Sequence, residues 1–402
     1  MTQVLEVLRL RARRDLRPVL REGRRHLDAC AVMAAVDAAV TGLRRLSPRA
    51  VALLADNGID WVVSDLAMIA CGRALVPLPT FFTRAQMRHA MECAGIDSLI
   101  ASPALLARTG LRAQATDLRI GELVVYRVDS APCELPPGTS KITFTSGTTG
   151  QPKGVCLAQH TLETVARSLV AASRVGAEGV HLCVLPLATL LENIGGLYAP
   201  VLAGACIEVP AAGVIGFDGS SKFDPVRMIA VIAERRASSL ILVPELLKAL
   251  VAALEATATR LPDLRFVAVG GAPIPASWLG RAQAVGLPVF EGYGLSECAS
   301  VVSLNHAGAV RPGSVGRPLP HVQVRVAQDG EIHVRGSVAL GELAHPGAAA
   351  CDATAPDEVA TGDLGHFDGD GYLYITGRRK HQFVTSFGRN VSPEWVERSL
   401  CE

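Results

Sequence analysis

From residue 50 onward, short apolar β-rich runs alternate with longer stretches whose apolar positions follow a helical period. The short runs predict strands over 74–77, 98–101, 141–145, 181–185, 205–209, 239–243, 265–269 and 288–290. Helices are predicted between them, including 84–94, 162–173 and 245–256. Alternation of this kind points to an α/β chain with mainly parallel sheets. After Ser314 the texture changes. Segments 322–326, 331–334 and 372–375 read as short strands divided by glycine-rich turns, with no long helix among them. That stretch predicts a small β-rich, barrel-like subdomain.

The first 25 residues carry eight arginines among Leu and Val at rough helical spacing. Such a helix could touch anionic lipid or a partner, or could simply expose a solvated arginine face. It has no uninterrupted apolar core, so it does not read as a signal peptide. No window reaches the roughly 18 consecutive apolar residues of a membrane span. A soluble, cytoplasmic protein with no integral membrane segment is expected.

The length of 402 residues suggests two or three domains at roughly 150 residues each. Apolar residues make up 49% of the chain and charged ones 19%, which argues against disorder and supplies material for large buried sheets. The net charge of +1 gives no electrostatic case for nucleic acid as a partner. Ten cysteines invite a disulfide or zinc reading, but none forms a C-x-x-C pair. Free thiols in a reducing compartment are the expectation.

Three segments carry candidate chemistry. Thr145-Ser146-Gly147-Thr148-Thr149-Gly150 follows a predicted strand and leads to Lys153 and Gly154. Glycines allow close backbone approach, and hydroxyls with exposed amides form a nest for phosphate oxygens. Lys153 adds a mobile positive charge. The spacing is not that of a Walker loop. Next, Glu291-Gly292-Tyr293-Gly294-Leu295-Ser296-Glu297 follows the strand at 288–290. Tyr293 offers a face for a base, and Glu297 a carboxylate for Mg²⁺. Upstream, Gly270-Gly271-Ala272-Pro273 would let a flat ring lie on the backbone. The third segment is Thr361-Gly362-Asp363, followed by Gly377 and Arg378. A carboxylate on a tight turn can accept from two sugar hydroxyls, and an arginine can support sugar or phosphate. The first two segments and the glycine-rich stretch follow the carboxyl ends of predicted strands, where open α/β sheets place ligands.

In order and spacing, Thr145–Gly154, Gly292–Glu297, Gly330–Gly336, Thr361–Asp363 and Gly377–Glu397 resemble the adenylate-forming (AMP-binding) superfamily of acyl-CoA synthetases, amino-acid-activating domains and luciferases. The resemblance implies a large α/β domain over 1–380, with α/β lobes to about 314 and a β-rich subdomain over 315–380. It implies that Thr145, Ser146, Gly147, Thr148, Thr149, Gly150 and Lys153 hold the β- and γ-phosphates of ATP. Gly271, Ala272, Pro273, Glu291, Gly292, Tyr293, Gly294 and Ser296 would form the AMP site, with adenine enclosed by Gly271, Ala272, Pro273 and Tyr293. Glu297 would ligate Mg²⁺. Asp363 would bind the ribose hydroxyls, Arg378 would support ribose or phosphate, and Lys380 would be the hinge. Lys153, Glu297, Asp363 and Arg378 would carry the catalytic work.

The implied reaction activates a small carboxylic acid. Its carboxylate attacks the α-phosphate of ATP, giving acyl-adenylate and pyrophosphate, and CoA then displaces AMP to form a thioester. Charge spreads over phosphate oxygens, so donors and cations serve better than a protein nucleophile. No Ser/His/Asp constellation is called for, and the ten histidines read as structural. The acid pocket is expected from 190–197, 242–246 and 295–302, which are mostly apolar and favour a fatty or aromatic acid. Thr189 stands where many relatives carry histidine or an aromatic residue, which leaves the pocket's gating open. Acyl transfer to a carrier protein or an amine, or nucleotide binding without turnover, are the alternatives. The family's chains run roughly a hundred residues past the hinge. Here 22 residues follow Lys380, so 381–402 is expected to be the hinge and the start of a truncated carboxyl-terminal domain, with impaired catalysis.

Overall fold

The computed structural model describes residues 2–145, 152–219, 222–345 and 357–379, with the short strands Phe383–Val384 and Asn390–Val391. Two large sheets dominate. The first has nine strands, with a parallel core of Pro18–Glu22, Cys206–Glu208, Val180–Leu182, Ser239–Leu242, Phe266–Val269 and Val289–Tyr293. Antiparallel strands close its two edges: Arg25–Asp28 at one, Ser303–Leu304 and Arg317–Pro318 at the other. The second sheet has eight strands, and Ala74–Pro77, Ala50–Leu54 and Ser98–Ala101 form its parallel centre. Thr139–Thr145 extends that centre in parallel and then turns back antiparallel into Lys153–Ala158.

Helices Ala29–Leu46, Ile59–Cys71 and Gln159–Ser173 bury their apolar faces in one core that also takes side chains from both sheets. Their ends follow ordinary capping chemistry. The Asp28 side chain accepts from Ala31 N at 2.8 Å, and Gly72 in the left-handed region ends the second helix. Lys141, Asp65, Asn193 and Tyr198 form a buried polar knot in this layer. Lys141 Nζ lies 2.5 Å from Asp65 Oδ1 and from Asn193 Oδ1, and 2.7 Å from the Tyr198 hydroxyl. Burial pushes the Lys141 ammonium downward, while Asp65 opposes that shift.

Four antiparallel strands, Val322–Val326, Glu331–Gly336, Glu358–Phe367 and Leu373–Arg378, make the β-rich subdomain. Its longest strand, Glu358–Phe367, escapes the apolar pattern because Glu358, Thr361, Asp363 and His366 interrupt it and most of its residues are partly exposed.

The arginine-rich start departs from a single amphipathic helix. Only Gln3–Ala12 is helical, and it buries Val4, Leu5 and Leu8, its amides at Gln3 and Val4 donating to Glu163. Beyond it, Pro18 cannot continue a helix, and Gly23 at φ +59° turns the strand Pro18–Glu22 back into the edge strand Arg25–Asp28. Among the described residues no helix is long and apolar enough to cross a membrane.

Candidate functional site

The carboxyl ends of Phe266–Val269 and Val289–Tyr293 open onto a cavity of about 420 Å³. Gly271, Ala272 and Pro273 line one side, and Glu291, Gly292, Tyr293 and Gly294 another. Asp363, Gly377 and Arg378 close it from the β-rich subdomain. Residues singled out in separate segments of the sequence thus meet around one space. Gly271 takes φ +89°, a conformation that suits glycine. Gly294 is needed for a different reason: a Cβ there would land on the Ser300 carbonyl oxygen.

Antiparallel pairing sets Asp363 opposite Arg378. Arg378 Nε lies 2.9 Å from Asp363 Oδ1, and the Tyr293 hydroxyl donates to Asp363 Oδ2 at 2.7 Å. Asp363 is 4% exposed, so two partners compensate its buried charge. Burial, then the Asp363 charge, drives the Tyr293 phenol upward, so it stays a donor. The expected tight turn at Thr361–Asp363 is instead an irregular stretch of the strand Glu358–Phe367, with Gly362 at φ +71°, where Thr361 donates to the Ile332 carbonyl at 2.8 Å and accepts from Asp363 N at 3.1 Å. Glu291 Oε2 accepts from Gly313 N at 3.2 Å on the same wall.

Thr145 and Lys153 pair across the mouth of a hairpin. The loop between them includes Ser146, Gly147, Thr148, Thr149 and Gly150, which lie outside the described residues, as does Lys380. Lys153 Nζ lies 3.4 Å from Glu342 Oε2. Burial raises the Glu297 carboxyl, and Glu342 adds to that, while Arg378 and Lys153 pull it down. Carboxylates are the ligand type a hard divalent cation takes, and here Glu342 adds one to Glu297. Glu342 carried no sequence signal, because only the pairing of Gly341–Leu343 with Lys153–Ala158 brings it here.

A second cavity of about 280 Å³ adjoins the first and shares Val269, Gly271, Gly292, Tyr293 and Gly294 with it. Its walls are mostly apolar, with Leu190, Leu191, Ile241, Phe266 and Val301 among them, and Ser296 stands at its rim. Thr189 lines it too, its hydroxyl turned to the Pro186 carbonyl at 2.7 Å. The expected contribution of 242–246 is corrected here. Strand side chains alternate in direction, so Ser239 and Ile241 face this cavity, while Leu240 and Leu242 face the opposite core. Sequence reasoning also missed Leu169, Val170 and Ser173 of the helix Gln159–Ser173, whose inner face gives no sign of which cavity it meets.

The sequence model of the AMP-binding enzyme family matches residues 17–349. The chain belongs to that family. Among AMP-binding enzymes similar to it, indoleacetate–CoA ligase of Aromatoleum aromaticum is 31% identical over 65% of this chain and 51% of its own length. A CoA ligase of Mycobacterium tuberculosis, acting on a methyl-dioxo-octahydroindenyl propanoyl group, is 28% identical over 87% of this chain and 73% of its own. The chain therefore spans about half to three quarters of these relatives. In fold it resembles the anthranilate CoA ligase solved with anthranoyl-AMP, with a TM-score of 0.82 and 19% identity over 99% of this chain and 81% of that one.

Proposed function

We propose that this chain is the nucleotide- and acid-binding part of an ATP-dependent carboxylate-activating enzyme. The reaction is attack of the acid on the α-phosphate to give acyl-adenylate and pyrophosphate, followed by thioester formation with CoA. One observation carries the reading: the cavity holding the Tyr293–Asp363–Arg378 cluster shares a glycine-rich wall with a mostly apolar cavity of about 280 Å³. Adenosine would occupy the first and an acyl group the second, so that carboxylate and α-phosphate meet at Gly271 and Gly292–Gly294.

In this reading Gly271, Ala272, Pro273 and the Tyr293 ring enclose adenine. Asp363 accepts from the ribose hydroxyls, and Arg378 steadies Asp363 and the sugar. Thr145 and Lys153, with Ser146, Gly147, Thr148, Thr149 and Gly150, receive the outer phosphates. Glu297, aided by Glu342, would hold Mg²⁺, which when bound offsets charge on the phosphate oxygens. Lys380 would act as the hinge between the large domain and the carboxyl-terminal segment 381–402. The relatives' names support aromatic and fatty acids as the substrate class and CoA as acceptor, since they include indoleacetate, feruloyl and long-chain fatty acyl ligases.

The test is calorimetry of the whole chain with AMP and with N-acylsulfamoyl adenosines, which mimic the acyl-adenylate without needing turnover. Micromolar or tighter binding of an acyl compound, well beyond that of AMP alone, is expected. Equal binding of the two, or no binding of either, would refute the two-cavity assignment. Acid-dependent exchange of pyrophosphate into ATP then reports the chemistry, and thiol acceptors tested afterwards separate CoA from a carrier protein or an amine.

A further inference from the structure

The acid cavity is apolar along most of its wall, but its deep end carries Ser239 and His181. They sit together because their strands pair in parallel with His181 opposite Ser239. His181 Nδ1 lies 3.0 Å from Ser239 Oγ, and its Nε2 lies 3.1 Å from Glu192 Oε1. Ser239, His181 and Glu192 are 2%, 3% and 0% exposed, so this is a built array and not a surface contact. Gly196 makes room for it, since a Cβ there would press on Glu192 Oε1 and stand 2.8 Å from His181 Nε2. The sequence called for no Ser/His/acid constellation, and these members lie 11 and 58 residues from His181.

The hydrogen-bond roles follow from the acid. A carboxylate can only accept, so His181 Nε2 carries the proton toward Glu192. With one ring proton, placed on Nε2 toward Glu192, Nδ1 accepts the hydroxyl hydrogen of Ser239. Ser239 is left with lone pairs for the cavity and no hydrogen to offer it. The deep end of an otherwise apolar pocket therefore calls for a donor on the ligand.

Strand geometry sets the distance. Ser239 and Phe266 lie at one end of the cavity wall, and Val269, the partner of Leu242 where the two cavities join, at the other. Three strand steps from Ser239 to Leu242 at 3.3 Å each amount to about 10 Å. Resting on the acid-activating reading, we propose that the chain selects a carboxylic acid bearing a hydroxyl or amino group about 10 Å from its carboxyl, received by Ser239 and poised by His181 and Glu192. Ser239 is the contact, while His181 and Glu192 are positioning residues that act through it.

The same corner holds a second chemistry. Ligand atoms of His181, Cys183 and Glu192 lie within 4.8 Å of one another, and Glu192 Oε2 has no hydrogen-bond partner among the described residues. A zinc ion could use that set. The geometry favours the hydrogen-bonded state, because His181 and Glu192 already engage each other and the Cys183 thiol points to the Gly196 carbonyl at 3.7 Å.

Calorimetry of the whole chain with three sulfamoyl adenosines, carrying 4-hydroxycinnamoyl, 4-methylcinnamoyl and cinnamoyl groups, tests the proposal. The hydroxy compound is expected to bind at least about tenfold more tightly than the methyl compound, since only it satisfies the buried acceptor. Ser239→Ala should shrink that ratio to within about twofold, and Glu192→Gln should reduce it by freeing the imidazole to reverse its tautomer. The wild-type ratio stands as a test even if a variant fails to fold. Equal or tighter binding of the methyl compound overturns the inference, as does stoichiometric zinc in the purified chain. Failure of AMP and all three compounds to bind would refute the underlying ligase reading, and this inference with it.

Discussion

Removing the Asp363 carboxylate is the sharpest probe of the nucleotide side. Each of its oxygens already has a partner within the protein, Tyr293 on Oδ2 at 2.7 Å and Arg378 on Oδ1 at 2.9 Å. A carboxylate offers about four acceptor positions, so one on each oxygen remains for a ribose hydroxyl. Hydrogen bonds to a charged acceptor contribute roughly 1.5–3 kcal/mol each, against water as competitor. Two such bonds at the lower end come to about 3 kcal/mol, or about a hundredfold in Kd. Asp363→Ala should therefore weaken AMP binding by about that factor in calorimetry. Asp363→Asn keeps the shape and loses the charge, and is expected to lose about half as much free energy. A separate effect must be kept apart from this one. Asp363→Ala leaves the Tyr293 hydroxyl without an acceptor, which costs stability by roughly 1–3 kcal/mol and is read in urea unfolding. Tyr293→Phe removes that hydroxyl while keeping the ring, so it controls for the loss. An AMP Kd for folded Asp363→Ala within threefold of wild type would refute the ribose assignment.

Other perturbations test the scaffold. Lys141→Met strands Asp65 in the core and should cost about 3–5 kcal/mol in urea unfolding, of which Asp65→Asn in the same chain recovers a part. Gly294→Ala sets a methyl on the Ser300 carbonyl oxygen and should cost about 3 kcal/mol, the upper end for overpacking, measured the same way. Burial raises the Glu208 carboxyl above its ordinary value, against the pull of Arg235 and Arg21. The folded chain thus holds that proton more tightly than the unfolded one, and the associated stability is present below the ordinary carboxylate range and lost as pH rises through the raised value. Glu208→Gln should accordingly gain in melting temperature relative to wild type between pH 4 and pH 7, and a flat or falling difference would contradict that.

Much of the architecture was legible because strands buried on both faces are short and apolar. The strands Ala74–Pro77, Ser98–Ala101 and Val322–Val326 fall on the predicted residues, and others differ by one to three residues at their ends. Strands with mixed polarity were not legible. Glu358–Phe367 and Gln114–Ile120 look like loops because one face meets solvent and their register is set by neighbours. The glycine-rich segments stood out in the sequence by composition, and Gly271, Gly292 and Gly294 line one cavity in the structure.

By itself the sequence determined the family, the strand–helix alternation and the segments that carry Gly271, Tyr293 and Asp363, although it read the last as a tight turn where the structure has the strand Glu358–Phe367. Those are local facts, written in spacing and side-chain chemistry. Tertiary structure alone decided that the Tyr293 hydroxyl meets Asp363, 70 positions further along the chain, that Glu342 stands beside Lys153, and that Ser239, His181 and Glu192 join at the end of the acid cavity. Strand register brings such residues together, and register depends on pairings between segments far apart in the chain, which no local pattern records.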